Sequence, residues 1–423
     1  MKTGLSGIII FMIAPDEKIN KCICLKLRKQ LYLFSALIFF ISGCASARHA
    51  VPVDYLSSAR IFGMQDIRAI SGIPSDAFKN DFIRLLEQEE RESPSFLDFK
   101  SGRLYCMLAI SGGAANGAYG AGLLNGWSAS GTRPVFQIVT GVSTGAITAP
   151  FAFLGSGYDS KLKEIYTRHS TKDVARMRWP RIRIPFSNSV ASTRPLELLL
   201  ERYFDAELLK KIAAEYKRGR RLYVGTTNLD AQRMVIWDMG KIASIGDAQA
   251  LKLFRKVILA SASVPFAFPP VYLQAEVNTK AYNEMHVDGG ISKQVFFLHD
   301  VLQGFDKALK EKGIDYSKNK YAIYIIKNGY VNPDYKEVPD NLFSIAERTV
   351  DAITDAQGIG DLYQLYVFTK DGKRDFNLAY IPETHISKAK EFFDQAEMQE
   401  LFDLGFKEAL QGYPWRKTPP GIE

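Results

Sequence analysis

Val135-Phe136-Gln137-Ile138-Val139-Thr140-Gly141-Val142-Ser143-Thr144-Gly145 is the stretch that decides the fold. Residues 135–140 are apolar and β-branched, which reads as a buried strand. Ala146 and Ile147 then read as the start of a helix. Strand, tight turn and helix form the context in which Gly-x-Ser-x-Gly becomes a nucleophile elbow. The flanking Gly141 and Gly145 let strand and helix approach without a Cβ clash. Ser143 falls at a helix N-terminus, where the helix dipole favours negative charge on an activated oxygen.

Outward from that turn, the pattern predicts helices over 81–91, 118–127, 162–169, 193–204, 247–260, 296–312, 341–366 and 389–410. Strands are expected over 104–110, 221–227, 234–238, 321–326 and 375–381, with a further one ending at Asp288. Pro150 should kink or shorten the helix after the elbow. Strands alternating with helices argue an α/β fold: a three-layer α/β/α sandwich with a mainly parallel central sheet. The chain has 423 residues, 47% hydrophobic, enough for one large α/β domain or two smaller ones.

Residues 1–43 read as a signal peptide. Lys21, Lys26, Arg28 and Lys29 precede an apolar run over 31–41 that is short for a bilayer span. Ile41-Ser42-Gly43-Cys44 resembles a bacterial lipobox, which makes Cys44 the expected lipidation site and the new N-terminus. A lipid-anchored protein of the bacterial envelope is implied, and Ala45 favours the outer membrane over the inner. Residues 44–100 read as a partly helical lead-in, and 101–423 as the catalytic domain, with core motifs over 104–300. Of four cysteines, Cys44 and Cys106 survive removal of the signal; with Cys44 acylated, no disulfide is expected and Cys106 reads as a buried, inert thiol. The net charge is +8, but residues 1–43 carry six Lys/Arg and two Asp/Glu, so +4 remains. That suits anionic lipid and is too weak to argue nucleic acid. Arg176, Arg178, Arg181 and Arg183 flank Trp179 in a proline-broken segment, a composition suited to docking on a bilayer interface.

Ser111-Gly112-Gly113-Ala114-Ala115-Asn116-Gly117 follows the strand 104–110. A glycine-rich loop between strand and helix turns backbone N–H groups toward an anion. A dinucleotide fingerprint fails here: Ala114 stands where a glycine is needed, and no Asp or Glu occurs between Phe99 and Tyr158 to hold a ribose. An oxyanion hole facing Ser143 fits. Downstream, Ala260-Ser261-Ala262-Ser263-Val264-Pro265 and Phe268-Pro269-Pro270-Val271 precede Asp288-Gly289-Gly290, a tight turn with an aspartate at its lip.

The glycine loop, the elbow, the Ser261–Pro265 region and Asp288-Gly289-Gly290, in this order and spacing, resemble the patatin-like phospholipase family over about residues 104–300. The resemblance implies a lipid acyl hydrolase with a Ser–Asp dyad and an acyl-enzyme intermediate. Ser143 would be the nucleophile, Asp288 the base, and the N–H groups of Gly112, Gly113 and Ala114 the oxyanion hole, with Gly117, Gly141, Gly145, Gly289 and Gly290 as motif glycines. Two departures stand out: Ala114 where the family has a third glycine, and Asn116 where a basic residue is common. Ordinary carboxylates, near pKa 4, are poor bases for a serine hydroxyl, and desolvation corrects this. The rival readings are a Ser–Asp–His triad using His286, His299 or His385, and an inactive envelope scaffold of the same fold. No cofactor is implied, and no two histidines have metal-ligand spacing. The expected partner is membrane lipid as substrate; the oligomeric state is not legible.

Overall fold

The computed structural model describes residues 48–92, 104–177, 188–313, 319–332, 335, 337–370 and 374–422. The signal, Cys44, the break at Ser93-Pro94-Ser95 and the basic residues Arg178, Arg181 and Arg183 with Trp179 lie outside them.

A ten-stranded sheet organises the chain. Its strands are β1 (Arg60–Ile61), β2 (Arg68–Ile70), β3 (Leu104–Ile110), β4 (Ile138–Val142), β7 (Arg221–Asn228), β8 (Arg233–Asp238), β9 (Val271–Val277), β10 (Lys280–Asp288), β11 (Lys320–Lys327) and β12 (Arg374–Tyr380). A separate ribbon pairs β5 (Arg176–Met177) with β6 (Ala191–Ser192). In the centre, β12, β11, β3, β4 and β7 run parallel. The flanks β10-β9-β1 and β8-β2 are antiparallel. Successive residues of the central strands face opposite layers, and both layers are apolar. Leu108 and Ile110 of β3 pack with Leu123 and Phe402 on one face. Ala109 faces the other way, with Ile323, Leu362 and Leu365. Helices Gly117–Ala129, Ala248–Ser261 and Gln395–Leu410 therefore cover one face, and Asp76–Glu92 and Leu342–Phe368 the other. This is the three-layer α/β/α sandwich. Cys106 is a free, buried thiol that burial pushes up.

Three local expectations change. Residues 296–312 are not one helix: only Phe305–Glu311 is helical, entered through Gly304 at φ +75°. Upstream, Val295 and Phe297 face one core cluster while Phe296 and Leu298 face another, an alternation no helix allows. The closing helix starts at Gln395, where the Asp394 side chain caps it, and not at 389. The segment read as a lead-in supplies β1 and β2 to the sheet, so Ala50–Glu423 is one compact unit. The elbow helix Thr144–Leu154 runs through Pro150 for 11 residues.

The register on β7 positions everything that follows. Residues 223–228 pair with β8 along one edge. On the opposite edge, residues 221–225 pair with parallel β4, and 226–228 with antiparallel β10. Those two strands therefore run head-on toward each other. Val142 lies opposite Gly225, and Asp288 lies opposite Thr226. At the junction the buried Ser261 hydroxyl donates to the Gly225 carbonyl at 2.7 Å and accepts from the Ser143 N–H at 2.9 Å. Ser261→Ala orphans both groups, at about 1–3 kcal/mol each. Urea unfolding should show a loss of roughly 2–4 kcal/mol; a loss below ~0.5 kcal/mol would contradict this role.

Candidate active site

Ser143 and Asp288 occupy the facing ends of β4 and β10, and both are buried. Ser143 has φ +55°, a conformation that serine rarely adopts and that the elbow imposes. Gly141 and Gly145 make this possible: a Cβ on Gly141 would strike the Gly145 carbonyl, and one on Gly145 would strike the Ile110 carbonyl. Gly117 lets the helix it opens lie against Thr144, and Gly289 lets the turn after β10 lie against Gly225.

Asp288 Oδ1 accepts the Gly290 N–H at 2.8 Å, while Oδ2 is buried with no well-aligned hydrogen bond. Burial pushes this carboxyl up to about 7, against the lowering influence of the nearby Ser143 hydroxyl and the Gly290 N–H. The Asp288 N–H donates to the Ser263 carbonyl at 2.9 Å, which gives the Ser261–Ser263 segment a second hold on the site.

The glycine loop sits against the serine. A Cβ built on Gly112 would lie 3.1 Å from the Ser143 Cβ. Gly113 has φ +144°, and a Cβ there would collide with the Asn328 carbonyl, so glycine is obligatory. Ala114 has φ +48°, so the departure from a third glycine leaves an alanine in the left-handed region. Among the described residues, the N–H groups of Gly112, Gly113 and Ala114 donate to no backbone carbonyl. Asn328 holds this loop in place. Its N–H donates to Ser111 Oγ at 2.8 Å, its Nδ2 to the Ser111 carbonyl at 3.0 Å, and its Oδ1 accepts from the Gly120 N–H at 3.2 Å. Sequence reasoning identifies neither Asn328 nor the bridging role of Ser261. Asn328 follows β11 far downstream and carries no local motif; Ser261 lies in the run Ala260–Pro265, where only the register of β7 shows what its hydroxyl does.

None of the candidate histidines hydrogen-bonds to Ser143 or Asp288. His286 is fully buried between Glu284 and Thr226 Oγ1, each at 2.9 Å. Arg68 completes that cluster through a buried pair with Glu284. Burial pushes the Glu284 carboxyl up, but Arg68 and His286 outweigh it and hold it down at about 2. His299 packs on Phe368, and His385 Nδ1 bonds the Tyr330 hydroxyl.

Two cavities meet at Ser143, sharing Ala114, Ser143, Val264 and Phe392 as walls. One is an apolar slot of about 70 Å³ lined by Ile147, Leu200, Phe204, Phe268 and Met398. The other is a polar mouth of about 320 Å³ lined by Gly113, Asn116, Asp288, Gln294, Lys327 and Asn328.

Residues 108–299 match the model of the family described as patatin-like phospholipase. No curated protein matches the sequence. Solved structures similar at low identity include these three. VipD from Legionella pneumophila is 13% identical, with a TM-score of 0.32, over 73% of this chain and 67% of that one. Human GIVD cytosolic phospholipase A2 is 10% identical, with a TM-score of 0.29, over 81% and 54%. The type III effector protein ExoU is 11% identical, with a TM-score of 0.21, over 73% and 53%. The chain thus spans about half the length of the last two. Residues 108–299, whose motifs gather at one end of the three-layer sheet, are thus similar to a patatin-like phospholipase domain.

Proposed function

We propose that the protein hydrolyses the acyl esters of membrane lipids through a Ser143–Asp288 dyad that uses no histidine. The observation that carries this reading is the buried Ser143 on the wall shared by an apolar slot and a polar mouth, with buried Asp288 lining the mouth. An amphiphile fits such a divided space: acyl chain in the slot, polar portion in the mouth.

Asp288 takes the hydroxyl proton as the Ser143 oxygen attacks the ester carbonyl. Its raised pKa suits it to a base working near neutral pH. The oxyanion is met by the free N–H groups of Gly112, Gly113 and Ala114 and by the positive end of the Thr144–Leu154 helix. The carbonyl reforms as the C–O bond to the alcohol breaks, and the proton held by Asp288 goes to the departing oxygen. Water, deprotonated by the same carboxylate, then attacks the acyl-enzyme; the C–O bond to Ser143 breaks, Asp288 returns the proton to the Ser143 oxygen, and the fatty acid is released. Lipidation of Cys44 would hold this chemistry at its substrate membrane.

Ser143→Ala should reduce ester hydrolysis by several orders of magnitude with the fold intact, because no covalent intermediate can form. Near-normal turnover of a nitrophenyl ester by a folded Ser143→Ala protein would overturn the reading.

Asp288→Asn should be nearly as inactive, and it should also be more stable in a defined pH window. The folded carboxyl titrates near 7 and the unfolded one near 3.9. Below about pH 3.9 both states are protonated and the carboxyl carries no penalty. As pH rises from there through about 7, the unfolded chain ionises first and native stability is lost. The Tm advantage of Asp288→Asn should therefore be small near pH 4, grow through this range and level off above pH 7. An advantage independent of pH would show that Asp288 is not held protonated by burial.

A further inference from the structure

Away from Ser143, three metal-ligating side chains converge where the last loop meets the closing helix. They are His385, Glu397 and Glu400, with one ligand atom from each lying within 4.8 Å of the others. His385 Nε2 stands 3.5 Å from Glu397 Oε1 and 4.0 Å from Glu400 Oε1. The His385 and Glu397 side chains are 5% and 6% exposed. His385 Nε2 and Glu397 Oε1 nevertheless have no hydrogen-bond partner. Two orphaned polar atoms facing each other in the interior are uncommon in a native fold and need a reason.

The remainder of each ligand is already fixed. His385 Nδ1 bonds the Tyr330 hydroxyl at 2.9 Å, which turns Nε2 toward the carboxylates. Glu397 Oε2 accepts the Lys388 N–H at 3.0 Å, which leaves Oε1 facing inward. Outer partners of this kind orient the ligands of metal sites. Donors about 2.0–2.2 Å from a tetrahedral ion lie roughly 3.3–3.6 Å apart. The observed separations match after a small inward swing of Glu400, which is 51% exposed and free to make it. A direct His–Glu ion pair would align the two atoms in a hydrogen bond, and they are not so aligned.

We propose that His385, Glu397 and Glu400 bind a zinc ion, with solvent at the fourth position beside Glu400. An imidazole nitrogen among the donors selects zinc over calcium or magnesium. The ion would fasten the loop before Asp394 to helix Gln395–Leu410. That loop carries Phe392, a wall of both cavities at Ser143, and Phe393, whose N–H donates to Thr171 Oγ1 at 2.9 Å. The site is thus a clamp on one side of the lipid cavity and supplies no reacting group. A search for paired histidines overlooks it, because its single histidine is followed by glutamates 12 and 15 residues later.

The test is zinc titration of the EDTA-stripped, dialysed protein by calorimetry and thermal unfolding, beside Glu400→Gln and His385→Gln. Glu400→Gln alters a half-exposed side chain, so its folding is not at issue. The wild type should take up one zinc per chain, with Tm raised by at least about 2 °C. Affinity should fall at least tenfold in each variant, and calcium should not replace zinc. Absence of zinc uptake by the wild type, or equal uptake by Glu400→Gln, would overturn the proposal and leave the cluster an ion pair. An equal Tm rise with calcium would overturn the assignment to zinc.

Discussion

One edge of β7 is shared by two strands that meet head-on, and the site depends on that arrangement. β4 occupies it from Arg221 to Gly225, and β10 from Thr226 to Asn228. The strand that ends in the elbow thus delivers its serine to the end of the strand that delivers the aspartate. A strand junction also leaves backbone groups without ladder partners, and a buried orphan is costly. The Ser261 hydroxyl resolves this by serving Gly225 and Ser143 together. The two candidate catalytic residues are therefore aligned by the backbone ladder, with side-chain packing in a supporting role. Sites carried on strands hold their geometry more tightly than sites on free loops.

The surroundings hold two features that a fold selected only for stability would avoid. Ser143 and Ala114 both have positive φ without being glycine, each at about 1–3 kcal/mol. Asp288 is a buried carboxyl with one unpaired oxygen, held near pKa 7. Both are supported from several sides. Asn328 ties the glycine loop to β11, helix Gly117–Ala129 packs against the closing helix, and Gly290 and Ser263 fix the backbone around Asp288. Strain of this kind persists where neighbouring structure over-determines it.

Much of this was legible in the sequence. β3, β7, β8, β11 and β12 fall where apolar, β-branched runs predict them, and the helix ending at Ser261 falls within a residue of its pattern. Gly141, Ser143, Gly145 and Asp288 are gathered in one place because their motifs encode local turns that need no tertiary information. Long-range pairing was not legible. β1 and β2 are too short to show a period, and β9 hides behind Pro269-Pro270. The run at 295–298 is apolar because it passes between two core clusters, and apolar density alone cannot separate that from a helix. Asn328 and Ser261 act through partners distant in the chain.

The central claim is that Ser143 is a nucleophile activated by Asp288, and covalent labelling tests it most directly. The wild type and Asp288→Asn would be treated with a fluorophosphonate at pH 7.5, and the modified peptide and its rate of formation read by mass spectrometry. The account predicts a single phosphonyl adduct on Ser143, formed at least a hundredfold more slowly in a folded Asp288→Asn protein. An adduct on another residue, or an equal rate in the two proteins, would contradict it.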